Sequence, residues 1–304
     1  MSDSAHQGQG ALGGALDKVG MTGIEVPVRL RDADGATILA PAKADAFVSL
    51  DDPAARGIHM SRLYLALQAR LEEHVLDLPL VRQVLQAFVA SQGGASTRAA
   101  VRIAFDHLVK RPSLVSGNAA WRSYPVAIGG EIGPDGACYT LHVRVTYSST
   151  CPCSTALARQ LVRERFLDDF GAQQLVSPAD VAAWLDDDAS LVATPHSQRS
   201  HADIDVAVAD CDDAPGFIEL VDAAESALAT AVQAAVKRED EREFARLNAH
   251  NQMFCEDAGR RLKAALDRDA RIADYRIEAA HVESLHPHDA VCIVVKGIAG
   301  GLRP

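Results

Sequence analysis

Two hydrophobic rhythms run along the chain. In Gly23-Ile24-Glu25-Val26-Pro27-Val28-Arg29-Leu30 every second residue is apolar, and residues 44–50 continue the alternation, which is the period of a strand with one buried face. The spacing then lengthens. Leu63, Leu65, Leu67, Leu71 and Val75 within residues 61–76, and the apolar positions of 78–90, predict two amphipathic helices stopped by Gly93-Gly94. Alternation returns at 99–109, 121–128 and 138–147, with Gly129-Gly130 and Gly133-Pro134-Asp135-Gly136 expected as turns.

The second half follows the same order more loosely. Helices are expected at 155–166 and 178–185, a strand at 202–209, a long helix at 215–236 and another at 253–266, then strands at 272–281 and 290–296. This predicts an α+β chain of two modules, each of two strands, two helices and two strands, at 19–150 and 151–304. Residues 155–190 stand out as a helical insertion. Residues 1–18, rich in Gly, Ser, Gln and Ala without periodicity, are expected to form a flexible arm with ordered structure starting at Val19.

Composition narrows the function classes. At 304 residues and 48% hydrophobic content the chain can bury a large core. A net charge of −11 argues against a duplex nucleic-acid partner, which requires a clustered basic face. No apolar run approaches the roughly 18 to 20 residues that cross a bilayer. The cysteines at 138, 151, 153, 211, 255 and 292 show no paired spacing, so free thiols and a cytoplasmic location are expected.

Candidate chemistry falls at four places. Thr150-Cys151-Pro152-Cys153-Ser154 follows a strand-like run, and its proline biases Cys151 to extended backbone, so the two sulfurs diverge, one towards a metal and one towards a substrate; buried inert cysteines are the simpler alternative. In Thr194-Pro195-His196-Ser197-Gln198-Arg199-Ser200, His196 is a candidate ligand, and Gln198 and Arg199 are donors suited to a purine edge or a phosphate, unless the segment is a plain surface loop. Of Glu239, Asp240 and Glu241, only one can face inward; Glu256, just after Met253-Phe254-Cys255, suits a guanine N1/N2 edge. Finally, residues 281–289 hold His281, His286 and His288 with Glu283 and Asp289. Glu283 and His286 there suit a proton relay, with a surface metal-scavenging loop as the alternative.

Together, Gly57-Ile58-His59-Met60-Ser61-Arg62, Cys151-Pro152-Cys153-Ser154, His196-Ser197-Gln198-Arg199, Lys237-Arg238-Glu239-Asp240-Glu241, Phe254-Cys255-Glu256-Asp257 and Glu283-Ser284-Leu285-His286-Pro287-His288-Asp289-Ala290 resemble the type IB GTP cyclohydrolase (FolE2) family from about Val19 to Lys296. The resemblance implies a tunnelling fold in which sheets of several subunits close into a barrel with helices outside, here a homotetramer with active sites between subunits. It implies conversion of GTP and water to 7,8-dihydroneopterin triphosphate and formate, the entry to tetrahydrofolate, with one divalent metal (Mn, Fe(II) or Zn) per site. Carried over, Cys151, His196 and Glu241 match the metal set, Cys153 the substrate-facing thiol, Glu256 the guanine anchor, and Glu283 with His286 the catalytic pair. Which of the two cysteines meets the metal stays open. His59, Arg62, Arg199, Lys237 and Arg238 are candidates for the triphosphate.

One departure is the long stretch between Cys153 and His196. Its paired helices must pack outside the sheet and return both ends to the site for His196 to be a ligand; otherwise His201 and His250 are the substitutes. Rival readings are a nitrile-reducing relative of 7-deazaguanine metabolism, a cyclohydrolase that stops at a cyclic phosphate, and a purine-nucleotide-binding regulatory protein without turnover.

Overall fold

The computed structural model describes residues 13–31, 35–208 and 210–304. One antiparallel sheet of eight strands in sequential order forms its frame. The strands are β1 (Leu16–Arg31), β2 (Thr37–Leu50), β3 (Ala99–Pro112), β4 (Ala119–Gly133), β5 (Gly136–Thr150), β6 (Ser197–Val208), β7 (Ile272–His281) and β8 (Ala290–Val295). Helices α1 (Met60–Glu73) and α2 (Leu78–Ser91) lie between β2 and β3; α3 (Pro152–Phe170) and α4 (Pro178–Asp186) lie between β5 and β6. The connection from β6 to β7 holds α5 (Phe217–Leu228), α6 (Arg238–His250) and α7 (Cys255–Leu266). Before the Gly133–Gly136 turn the order is two strands, two helices and two strands; after it come β5 and β6, with α3 and α4 inserted between them, then three helices and the last two strands.

Strand alternation gives the sheet two unlike faces. Val28, Ala44, Ile103, Val143, Ile204 and Ile277 are fully buried beneath α1, α2, α5 and α7. The opposite face is charged and self-paired: Arg144 binds Asp203 through Nε and Nη2 at 2.7 and 2.8 Å, His142 Nδ1 meets Asp205 at 2.9 Å, and Arg276 reaches Glu278 at 2.6 Å. Among the described residues no helix is long and apolar enough to cross a membrane.

Four expectations change. Most of the expected arm, residues 1–12, lies outside the described residues, while Leu16, Asp17 and Lys18 already belong to β1. Residue 209, the expected end of the sixth strand, is also outside them, and that strand begins five residues earlier than expected, at Ser197. Gly129 and Gly130 sit inside β4 and make no turn. A Cβ on Gly129 would lie 2.4 Å from the Val101 carbonyl oxygen, and one on Gly130 would lie 2.7 Å from that of Cys138, so close strand approach requires both glycines.

The fourth change is the long helix expected over 215–236, which stops at Leu228. Ala229 is left-handed (φ 63°), and the chain then joins the sheet. β4 and β5 pair only from Val126–Val143 to Gly133–Gly136, which leaves the end of β5 with unpaired backbone on that side. Residues 230–232 cover it: Ser148 N–H donates to the Thr230 carbonyl (2.9 Å), Thr230 Oγ1–H donates to the Ser148 carbonyl, and Val232 N–H donates to the Thr146 carbonyl (3.4 Å). Replacing Gly129 with Ala is expected to destabilise the chain by about 1–3 kcal/mol through the forced strand displacement, read as a lower urea midpoint.

Candidate active site

The site is built at one end of β5, β6 and β7. Thr150 and Ser197 are the last pair of the β5–β6 ladder, their hydroxyls 2.7 Å apart, and the ladder extends one step when Cys151 N–H donates to the His196 carbonyl at 3.3 Å. The insertion thus leaves the sheet and returns to the same point. Its helices pair through Phe166, Phe170 and Trp184, with ring centroids 5.0 to 6.3 Å apart, and Ser154 Oγ accepts the His196 N–H at 3.0 Å. The condition for His196 to share a site with the cysteines is therefore met.

Cys151 is the N-cap of α3 with extended backbone (φ −70°, ψ 124°), as its following proline requires, and its carbonyl accepts from Thr155 N and Oγ1. Both Cys151 and Cys153 are free thiols; Cys153 is exposed in the first turn of α3. His196 Nδ1 lies 2.9 Å from Gln198 Oε1 and 3.8 Å from Glu283 Oε2, a carboxylate whose side chain is 15% exposed. Glu256 arrives from the other direction. Met253 N–H donates to the Thr150 carbonyl at 3.1 Å, which fixes the start of α7 beside the end of β5, and Cys255 Sγ–H donates to Glu256 Oε2 at 3.4 Å.

Gln198 lies directly behind His196, and the remaining expected residues are placed apart from this cluster. Gln198 is buried, and its amide is turned inward to His196 and to Ser149 Oγ (3.0 Å). His286 lies in the exposed loop before β8, its ring stacked on His288 at 5.1 Å, so Glu283 meets His196 and not His286. At the start of α1 the His59 N–H donates to Gln92 Oε1, and Arg62 Nη1–H donates to the Ser91 carbonyl, both on the first repeat. Lys237 and Arg238 open α6 and are exposed.

Glu241 lines a cavity of about 560 Å³ with Arg122, Thr146, Arg199, His201 and Phe244. Thr146, Arg199 and His201 leave the sheet on the face opposite Gln198 and Ser200, so one protomer holds Glu241 across the sheet from His196. Of the three adjacent acids the one facing inward is Asp240, fully buried. Burial opposes its ionisation, but N–H donors of Lys237, Val115 and Ser116 outweigh that and hold its carboxyl far below the usual carboxylate range. Asp240 therefore seats α6, a role the charge run in the sequence did not distinguish.

Cys151 and His196 form a sulfur and nitrogen pair at adjoining positions, with Glu283 as the nearby carboxylate, a mixed set compatible with zinc, iron or manganese. Among the described residues the three-donor group whose ligand atoms all lie within 4.8 Å is a different one, Asp210, Cys211 and Asp212, and Arg82 already pairs with Asp212 at 2.9 Å and contacts Cys211 Sγ.

The fold is similar to that of uricases of known structure. A uricase from Arthrobacter globiformis superposes with a TM-score of 0.55 over 95% of this chain and 96% of that chain at 8% identity, and a uricase from Bacillus fastidious with 0.50 over 91% and 92% at 10% identity; at such identities the likeness concerns the fold. A family model described as type I GTP cyclohydrolase folE2 matches residues 1–292. A GTP cyclohydrolase FolE2 of Pseudoalteromonas translucida is 45% identical over 303 residues, covering 100% of both chains. One of Hydrogenovibrio crunogenus is 44% identical over 301 residues, covering 99% of this chain and 96% of that relative. The chain belongs to the type I GTP cyclohydrolase FolE2 family.

Beneath the cluster, His281 is 3% exposed and packs edge-on against Tyr147, centroids 5.7 Å apart. Burial pushes its pKa down from 6.5 to about 4, against the pull of Glu256 and Asp257, so the imidazole is neutral at neutral pH. Below pH 6.5 the unfolded chain takes up a proton that the folded chain refuses. The His281 contribution to stability is therefore fully present above pH 6.5 and falls by about 3 kcal/mol as pH drops towards 4. His281→Phe is expected to flatten this decline, as measured by urea unfolding across that range.

Proposed function

We propose that this chain catalyses the type IB GTP cyclohydrolase I reaction, in which GTP and water give 7,8-dihydroneopterin triphosphate and formate, the first step of tetrahydrofolate biosynthesis. The observation that carries this reading is the convergence of Cys151, His196, Glu283 and Glu256 at one sheet end in a chain whose family membership covers its length.

Hydrolysis at guanine C8 needs a strong nucleophile at neutral pH, and a bound divalent cation (Mn, Fe(II) or Zn) supplies it by lowering the pKa of a water. Cys151 and His196 are the donors proposed to hold that ion. Glu241 is the third donor the family resemblance assigns, and because it lies across the sheet within one protomer, its contribution belongs to the assembled oligomer. Glu256 is proposed to accept hydrogen bonds from guanine N1–H and N2–H. Cys153, exposed at the first turn of α3, is proposed as the substrate-facing thiol beside C8, and Glu283 and His286, which do not meet within one protomer, are proposed as the groups that move protons to the ring nitrogens.

A homotetramer with sites between subunits is the assembly this reading requires. It is supported by the outer edge of β8, which no strand covers among the described residues and which carries exposed Val291 and Ile293. It also gives His59, Arg62, Arg199, Lys237 and Arg238, scattered over one protomer, a way to meet one triphosphate. A cytoplasmic location follows from the pathway.

The test uses metal-free protein with GTP, restored separately with Mn, Fe(II) or Zn, following formate and pterin fluorescence. Turnover is expected only after metal is restored, and Cys153→Ala is expected to lower it by roughly 100-fold or more. Metal-independent turnover or full activity of that variant overturns the reading, and GTP binding without formate identifies a nucleotide-binding protein instead.

A further inference from the structure

A row of buried polar side chains runs behind His196. Ser149 and Ser200 are both fully buried, and their hydroxyls lie 2.7 Å apart; Gln198 Nε2 lies 3.0 Å from Ser149 Oγ, and Gln198 Oε1 lies 2.9 Å from His196 Nδ1. These residues replace the apolar side chains that fill the same face of β5 and β6 further along, at Val143, Val145, Ala202 and Ile204. Burying three polar groups there brings no gain over an apolar core, so a packing role does not account for them.

Orientation of the row follows from its far end. Nδ1 of His196 faces two oxygens, Gln198 Oε1 at 2.9 Å and the Glu283 carboxylate at 3.8 Å. With a proton on Nδ1, both contacts are attractive. With the amide reversed and the proton on Nε2, the Nδ1 lone pair would point towards a carboxylate. The negative charge on Glu283 therefore favours the Nδ1–H form, and the Gln198 amide, held by Ser149, accepts that proton through its carbonyl.

We propose that Gln198 is a positioning residue: it holds His196 as the Nδ1–H tautomer and so reserves the Nε2 lone pair for the metal. This rests on the reading of His196 as a metal donor. Imidazole ligands need their second nitrogen fixed in this way, and losing such a partner typically costs 10–100-fold in metal affinity.

The experiment separates the two readings. Selective ¹⁵N-histidine labelling of the metal-free protein, with His196→Asn to assign the resonance, reports which nitrogen carries the proton before any metal is added. His196 is expected as the Nδ1–H form in the wild type, as a mixture in Gln198→Leu, and again as Nδ1–H in Gln198→Glu, whose carboxylate also accepts. An Nε2–H wild type, or a tautomer unchanged in Gln198→Leu, overturns the inference. Zinc titration against a chromophoric chelator is expected to show about 10–100-fold weaker binding in Gln198→Leu, restored in Gln198→Glu. Equal zinc affinity in all three proteins, with the tautomer shifted as expected, overturns the donor role of His196 and the part of the proposal that depends on it. Thermal melts of the variants exclude unfolding as the cause, and the recovery in Gln198→Glu is an effect that mere loss of packing does not produce.

Discussion

The pairing of β5 with β6 is the constraint on which the site depends. From Thr140–Ala207 to Thr150–Ser197 the two strands run in unbroken antiparallel register, and the Cys151 to His196 backbone bond extends it. A slip of one residue would send Gln198 and Ser200 to the charged face and Arg199 and His201 into the core. The register is held by the apolar side of both strands, where Val143, Val145, Ala202 and Ile204 are fully buried. An inserted pair of helices thus leaves the geometry at its two ends unchanged, because the ladder, and not the connection, sets the distance between them.

The same alternation divides the chemistry between two surfaces. His196 and Glu283 meet at the end of the helix-covered face, and the start of α7, which carries Glu256, is fixed beside the end of β5, whereas Arg199, His201 and Glu241 meet in a cavity on the other side. Helix α6 reaches that side because the chain leaves α5 at Ala229, covers the open end of β5 with residues 230–232, and then anchors the new helix by burying Asp240 against the N–H groups of Val115 and Ser116. Unpaired backbone at a splayed strand thus decides where a functional helix starts.

Polar burial marks the functional end of the sheet. Further along β5 and β6 the covered face is apolar, with Val143, Val145, Ala202 and Ile204 fully buried, but near the strand ends it carries Ser149, Ser200, Gln198 and His281. Each such group costs stability unless bonded, and the serine–glutamine–histidine row meets that cost by satisfying one another and ending on the imidazole of the site. The strand ends nearest the chemistry therefore give up part of the hydrophobic gain that the strand middles retain.

The sequence by itself determined most of the elements and the family motifs. Strand alternation in β1, β2, β3 and β5, and the leucine spacing of α1 and α2, are local signals that tertiary contacts reinforce; so is the extended backbone of Cys151 before Pro152. Tertiary structure alone decided the break at Ala229, the strand glycines at 129 and 130, the choice of Asp240 as the inward acid, the inward turn of Gln198, and the partnership of Glu283 with His196. In each of these the outcome depends on an atom distant in the chain: a carbonyl of β3, an exposed edge of β5, an amide at Val115, an imidazole across a loop. Periodicity reports which face a residue takes, but an unpaired backbone group or a buried lone pair exists only once the strands have met.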